Sequence, residues 1–81
     1  MGKTLTELRA EFDAAERAHR AAYRRAQWLE KRLFEATTET EYQEIAAQLD
    51  AQETALDPLN VALIRARSAY VGAELSARAS A

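Results

Sequence analysis

The sequence contains no cysteine, one histidine, one proline and two glycines. The lack of cysteine excludes a disulfide scaffold, a thiol nucleophile and a cysteine-ligated metal, and a single histidine argues against the usual zinc sites. So few glycines and prolines do not supply the many turns of a β-sandwich or barrel. No apolar run approaches the roughly 18 residues that a membrane span needs, and no signal-peptide core is present. We therefore expect one all-α domain over residues 1–81, located in the cytoplasm.

The first half of the chain has the pattern of one long helix. Thr4 and Glu7 have the spacing of a capping box, which predicts a helix start at that point. Apolar or small residues then recur in alternating steps of three and four, the heptad pattern of a helix that packs along one seam. This pattern predicts a helix over about 5–36 and a turn at 37–40. The first seam is Leu5, Leu8, Phe12, Ala15, His19, Ala22, Ala26, Leu29, Leu33 and Ala36.

The second half repeats this pattern, and its phase continues across the only proline. The second seam is Tyr42, Ile45, Leu49, Gln52, Leu56, Leu59, Leu63, Ala66, Tyr70, Ala73 and Ala77. The short join between the seams favours an antiparallel helical hairpin. We expect the second arm to be collinear but kinked or broken at Pro58, with helices over about 41–57 and 58–77 and a frayed tail at 78–81. The alternative is a monomeric three-helix bundle, in which a third helix starts at Pro58.

Charge is distributed in blocks along the chain. Residues 37–60 contain six acidic side chains and no basic one, although the formal net charge of the whole chain is only −2. If the turn lies near residue 38, this acidic block faces the arginines of the first arm. We expect Arg24 and Arg25 to lie opposite Asp50 and Glu53. Such pairs would favour the antiparallel register over alternatives.

The second arm has a further apolar stripe outside its seam. A helix that is apolar on two faces is usually buried on two sides, and a chain of this length rarely supplies enough core alone. We therefore expect a homodimer in which this stripe packs against its copy and gives a four-helix core. The apolar stripe consists of Val61, Ile64, Ser68, Val71 and Leu75.

Two further groups of residues are candidates for binding another protein. Tryptophan and arginine are enriched at interaction hot spots, and a regular acidic strip can imitate the phosphate spacing of a nucleic acid. The first-arm candidates are Arg24, Arg25, Trp28, Arg32 and Phe34. The acidic strip is Glu39, Glu41, Glu44, Asp50 and Glu53.

Motifs for catalysis are missing from the sequence. It has no glycine-rich phosphate loop, no nucleophile motif and no Glu-x-x-His pair for a di-iron site. A narrow helical bundle also leaves little room for a substrate cleft. We expect no enzymatic activity, no catalytic residues, no metal and no cofactor.

In size and helical style, the chain resembles the small helical inhibitors and adaptors made by bacteriophages, such as anti-CRISPR and anti-quorum-sensing proteins. These form a functional group rather than one fold family, so no residue roles are transferred. The resemblance implies a non-catalytic protein that docks on a host protein in the host cytoplasm. The arginine-rich first arm is also similar to dimeric helical-hairpin RNA binders of plasmid copy control. The segment from Tyr70 to Glu74 resembles the Tyr-x-x-x-Asp/Glu pattern of small secreted helical hairpins of the WxG type, although Trp28-Leu29-Glu30 stands where that type has Trp-x-Gly. A purely structural coiled-coil component of a larger assembly is a further alternative.

Overall fold

The computed structural model describes residues 2–80, which form two helices joined by a short turn. Helix α1 spans Leu5–Glu35 and helix α2 spans Glu39–Ser80. The helices lie side by side as a hairpin that measures 62 × 18 × 15 Å. The described residues contain no strand. The all-α prediction is confirmed, and so is the hairpin-like arrangement of two long arms.

Threonine side chains start both helices. The Thr4 hydroxyl accepts a hydrogen bond from the Glu7 N–H at 3.1 Å, and the Glu7 carboxylate accepts one from the Thr4 N–H at 3.2 Å. This confirms the predicted capping box. At the start of α2, the Thr38 hydroxyl accepts the Glu41 N–H at 3.1 Å. Both hydroxyls satisfy N–H groups that have no partner within their own helix.

We expect removal of the cap at the start of α1 to lower the stability of the hairpin modestly. Thr4→Ala leaves the Glu7 N–H without its protein acceptor, so we expect the free energy of unfolding to fall by about 1 kcal/mol. Urea denaturation followed by circular dichroism measures this change. Thr6→Ala is the matched control, because Thr6 lies inside α1 and alanine is the better helix former there. An equal loss in both variants would contradict a capping role for Thr4.

Helix α2 continues through Pro58 without a break. The structure has one helix where the sequence pattern indicates two, 41–57 and 58–77, because Pro58 removes one N–H donor but leaves the rest of the hydrogen-bond ladder in place. A helix of this length measures about 63 Å at ~1.5 Å per residue, close to the 62 Å extent of the molecule. The three-helix alternative needs a reversal at Pro58 and does not fit that extent. The predicted frayed tail includes Ala81, which lies outside the described residues, whereas α2 extends to Ser80.

The two seams face each other, and the core between them is thin. Among the described residues, only Ala26, Leu29 and Ile45 are buried, and all three lie in the half of the hairpin near the turn. Two hydrogen bonds join the arms: Gln52 Nε2 donates to the Ala22 carbonyl at 3.2 Å, and Arg9 donates to the Tyr70 hydroxyl at 3.4 Å. The remaining seam side chains are mostly half-buried. The fold is therefore tightest at the turn and more open towards the chain ends.

Candidate protein-binding surfaces

Trp28 lies on the outside of α1 between two arginines. Its side chain is 47% exposed, and the guanidinium carbons of Arg25 and Arg32 each lie 5.2 Å from the centre of its ring. These arginines are three residues before and four residues after Trp28, which places all three side chains on one helix face. Two cation–π contacts restrain the indole ring. We call Trp28 with Arg24, Arg25 and Arg32 the Trp28 patch.

Phe34 does not belong to this patch. It is the most exposed large apolar side chain described, at 84%. Six residues separate it from Trp28, and at about 100° per residue it points about 120° away around the helix. The five first-arm candidates therefore divide into the Trp28 patch and an isolated Phe34.

The predicted ion pairs between the arms are wrong. The ion pairs found within residues 2–80 all join residues of the same arm, and none links Arg24 or Arg25 to Asp50 or Glu53. The register brings these groups to similar heights along the hairpin, and all four side chains are exposed. By the period of about 3.6 residues per turn, Arg24 and Asp50 point away from the seam, whereas Arg25 and Glu53 lie on its flanks. Their charges consequently remain available to a partner or to solvent.

The Trp28 patch lies within a strongly basic stretch of α1. Residues 17–32 contain six basic side chains and one acidic one. Within the described part of the chain, Arg20 pairs with Glu16 of the preceding turn, and it is the one cation of this stretch that forms an ion pair. The outside of α1 near the turn is therefore a cationic surface with an exposed indole.

The acidic strip does not form a single row along α2. Glu39, Asp50 and Glu53 are exposed and share one face of the helix, by the periodicity of about 3.6 residues per turn. Glu41 is half-buried near the seam, and Glu44 lies on the opposite flank. Glu39 also accepts a hydrogen bond from the Gln43 side chain at 2.9 Å. Three of the five predicted members, Glu39, Asp50 and Glu53, therefore form one surface.

The apolar stripe of α2 lies outside the seam with α1. Val61, Ile64, Val71 and Leu75 are 45%, 55%, 42% and 58% exposed, and Ser68 between them is also exposed. A shallow groove beside the stripe is lined by Ile64, Arg67, Ser68, Val71, Gly72 and Leu75. The hairpin alone therefore leaves four large aliphatic side chains in contact with water on one helix face.

Sequence reasoning missed a cluster at the open end of the hairpin. The guanidinium carbon of Arg9 lies 5.4 Å from the centre of the Tyr70 ring, and the Phe12 and Tyr70 rings stack at 6.0 Å. The hydrogen bond from Arg9 to the Tyr70 hydroxyl raises the pKa of Arg9 above its ordinary value. Because Phe12 and Tyr70 are both seam positions, the sequence pattern could have predicted their contact. Arg9 is not a seam position, so the pattern did not predict its place in the cluster. This cluster closes the end of the hairpin that lacks buried residues.

Other kinds of site find little support in the described residues. Residues 2–80 contain no group of three side chains suited to holding a metal ion. Neither helix, over the same residues, is long and apolar enough to cross a membrane. No protein-family model, no curated protein and no solved structure matches the chain.

Proposed function

We propose that this chain is a non-catalytic protein-binding module, a small adaptor or inhibitor that works as a homodimer. The observation that supports it is the ratio of exposed to buried apolar groups. Nine large apolar side chains of the described residues are at least 37% exposed, whereas only three of these residues are buried. Apolar surface of this extent on a small chain is typical of interaction sites. The apolar stripe of α2 is the proposed contact with a second copy.

The Trp28 patch is the proposed contact with the target. Its cationic surroundings fit an acidic segment of another protein, since opposite charges steer partners together and arginine pairs well with carboxylates. Tryptophan contributes strongly at interface centres because its large ring excludes water. Arg25 and Arg32 already hold the ring in place, so less side-chain entropy is lost on binding. The cytoplasm, or a host cytoplasm for a phage-encoded chain, is the compartment we propose.

Nucleic-acid binding is the second candidate, and one observation favours it. The arginines of the Trp28 patch form no ion pair with the acidic residues of α2. Free arginines beside an exposed aromatic ring are suited to phosphates and unstacked bases. The six carboxylates of residues 37–60 oppose this function, because they would repel a polyanion that extends beyond α1. We therefore place protein binding first.

Affinity capture from a host lysate, with and without nuclease, tests the proposed target contact. We expect one protein to be enriched in both samples and its binding to weaken at least about 30-fold for Trp28→Ala, the loss typical of a hot spot. Phe34→Ala is the matched control, because it removes an even more exposed aromatic ring from a different face of α1. Intrinsic fluorescence then reports on the site directly, since Trp28 is the only tryptophan.

The outcomes separate the two candidates. An enriched protein that binds Trp28→Ala as tightly as the unchanged chain would contradict the Trp28 patch as the docking site. Enrichment that disappears after nuclease treatment, together with a Trp28 emission change on titration with single-stranded RNA, would support nucleic-acid binding instead. In that case affinity should also fall steeply with added salt.

A further inference from the structure

The acidic and apolar residues of α2 lie on one continuous helix face. Because α2 passes through Pro58 without a break, the steps of three and four in the apolar stripe continue towards the turn. From Val61 towards the turn, the same face carries Asp57, Glu53 and Asp50, and then Glu39. We call this the outer face of α2. Its half near the turn is acidic, and its half near the C-terminal end is apolar.

This division limits how two copies can pack through the outer face. Packed helices lie about 8–10 Å apart. In a parallel pair, each acidic side chain would face its own copy across the interface at less than the distance between the axes, within the screening length of about 8 Å at physiological salt. The basic residues of α2 do not neutralise these acidic residues, because Arg65, Arg67 and Arg78 all lie in the apolar half. Parallel packing would therefore place acidic residues against acidic residues along half of the helix.

Antiparallel packing removes this repulsion. The apolar stripe is centred on Ser68, so an antiparallel pair joins residues whose numbers sum to about 136. Val61 then lies near Leu75 of the second copy, and the apolar halves cover each other. The two Asp57 side chains become separated by about 33 Å along the axis, far beyond the screening length of about 8 Å. Arg78 of one copy comes close to Asp57 of the other, which adds an attraction between opposite charges.

We infer that two copies pair antiparallel through the outer face of α2, with the centre of the interface near Ser68. This inference rests on the proposed self-association and specifies its geometry. The acidic halves, and with them both turns, then project from opposite ends of the dimer. Each Trp28 patch lies in the turn-proximal half of its hairpin, so the dimer presents two equivalent copies of the proposed target-binding patch, one towards each end. An acidic segment of a target protein can therefore bind at two separate places on the dimer.

Spin-label distances test the geometry, and the absence of cysteine allows single labels to be placed freely. Ala51 and Ala69 are both exposed. They lie 18 positions apart, which is about five full turns, so both occupy the same line of α2 outside the outer face and the seam. In the antiparallel dimer, Ala69→Cys labels are expected about 20 Å apart and Ala51→Cys labels more than about 50 Å apart. In a parallel dimer, both pairs would be about 20 Å apart.

Each result has a distinct meaning. A short distance at residue 69 with a long distance at residue 51 supports antiparallel pairing. Short distances at both positions would overturn it, while the proposed homodimer would stand. If concentrated samples of both variants stay monomeric by sedimentation, the proposed self-association fails and this inference fails with it. Circular dichroism of each labelled variant confirms that the hairpin remains folded.

Discussion

Replacing Leu29 with alanine is expected to cost the hairpin about 3 kcal/mol of unfolding free energy, from the usual range for buried leucines. Leu29 is 2% exposed and is one of only three buried residues in the described part of the chain, so the substitution removes a large share of the core. A domain of this size has about 4–12 kcal/mol of stability in total, so the loss is a large fraction of it. Thermal unfolding followed by circular dichroism should show a melting temperature about 12–24 °C lower.

Leu75→Ala is the matched control for Leu29→Ala. It removes the same atoms from a leucine that is 58% exposed. In dilute samples, where the chain is monomeric, we expect it to change the melting temperature by only a few degrees. If the two variants melted at the same temperature, the core would not lie where the structure places it.

Replacing Ile64 with aspartate is expected to weaken self-association at least about 100-fold, because a buried charge without a partner is costly. Ile64 lies near the middle of the apolar stripe and is 55% exposed in the single hairpin. The substitution therefore leaves the protomer folded while it places a carboxylate inside the proposed dimer interface. Sedimentation equilibrium over a range of concentrations measures the dissociation constant of each variant.

Phe34→Asp is the control for Ile64→Asp. It introduces the same charge at a side chain that is more exposed but lies on α1, away from the outer face of α2. Its dimer dissociation constant should stay close to that of the unchanged chain. Equal weakening by both variants would show that net charge, rather than the apolar stripe, controls association. A monomer at every concentration of the unchanged chain would contradict the homodimer itself.

The seam of the hairpin was predictable from the sequence because it depends on periodicity alone. Leu29 and Ile45 lie at seam positions, and both are buried. Tyr42 is also a seam position, in the first turn of α2, yet it stays 48% exposed. Periodicity identifies the inward face, whereas the depth of burial depends on how many neighbours the fold supplies.

The behaviour of Pro58 was harder to predict. An Asp-Pro pair is typical of a helix start, and the same proline is tolerated inside a helix at the loss of one hydrogen bond. Local sequence preference alone does not determine whether a helix starts at Pro58 or continues through it. The seam continues in phase on both sides of Pro58, and α1 contacts α2 on both sides of it, through Ala22 with Gln52 and Phe12 with Tyr70. Tertiary packing thus determines a feature on which the local sequence is ambiguous.

The candidate surfaces illustrate a second limit of sequence reasoning. Matching heights along the hairpin predicted that Arg24 and Arg25 would meet Asp50 and Glu53, but that prediction left out the direction of each side chain around its own helix axis. In a pair of helices, direction around each axis decides whether two charges meet. The same consideration separated Phe34 from Trp28, although both lie on α1 and both are exposed. Continuity between the acidic and apolar halves of α2 became visible once Pro58 was shown to lie inside one helix.

The position of the core has a consequence for hydrogen exchange. Ala26, Leu29 and Ile45 lie near the turn, while the last turns of α2 have exposed side chains on most sides. We therefore expect the helical amide protons around Ala26, Leu29 and Ile45 to exchange mainly through global unfolding, and those towards residue 80 to exchange through local opening. The apolar stripe occupies this labile end, so a second copy that covers it would slow exchange there and leave the turn unaffected. Hydrogen-exchange protection in this half of α2 would then rise with protein concentration. Association would itself be a step in completing the fold.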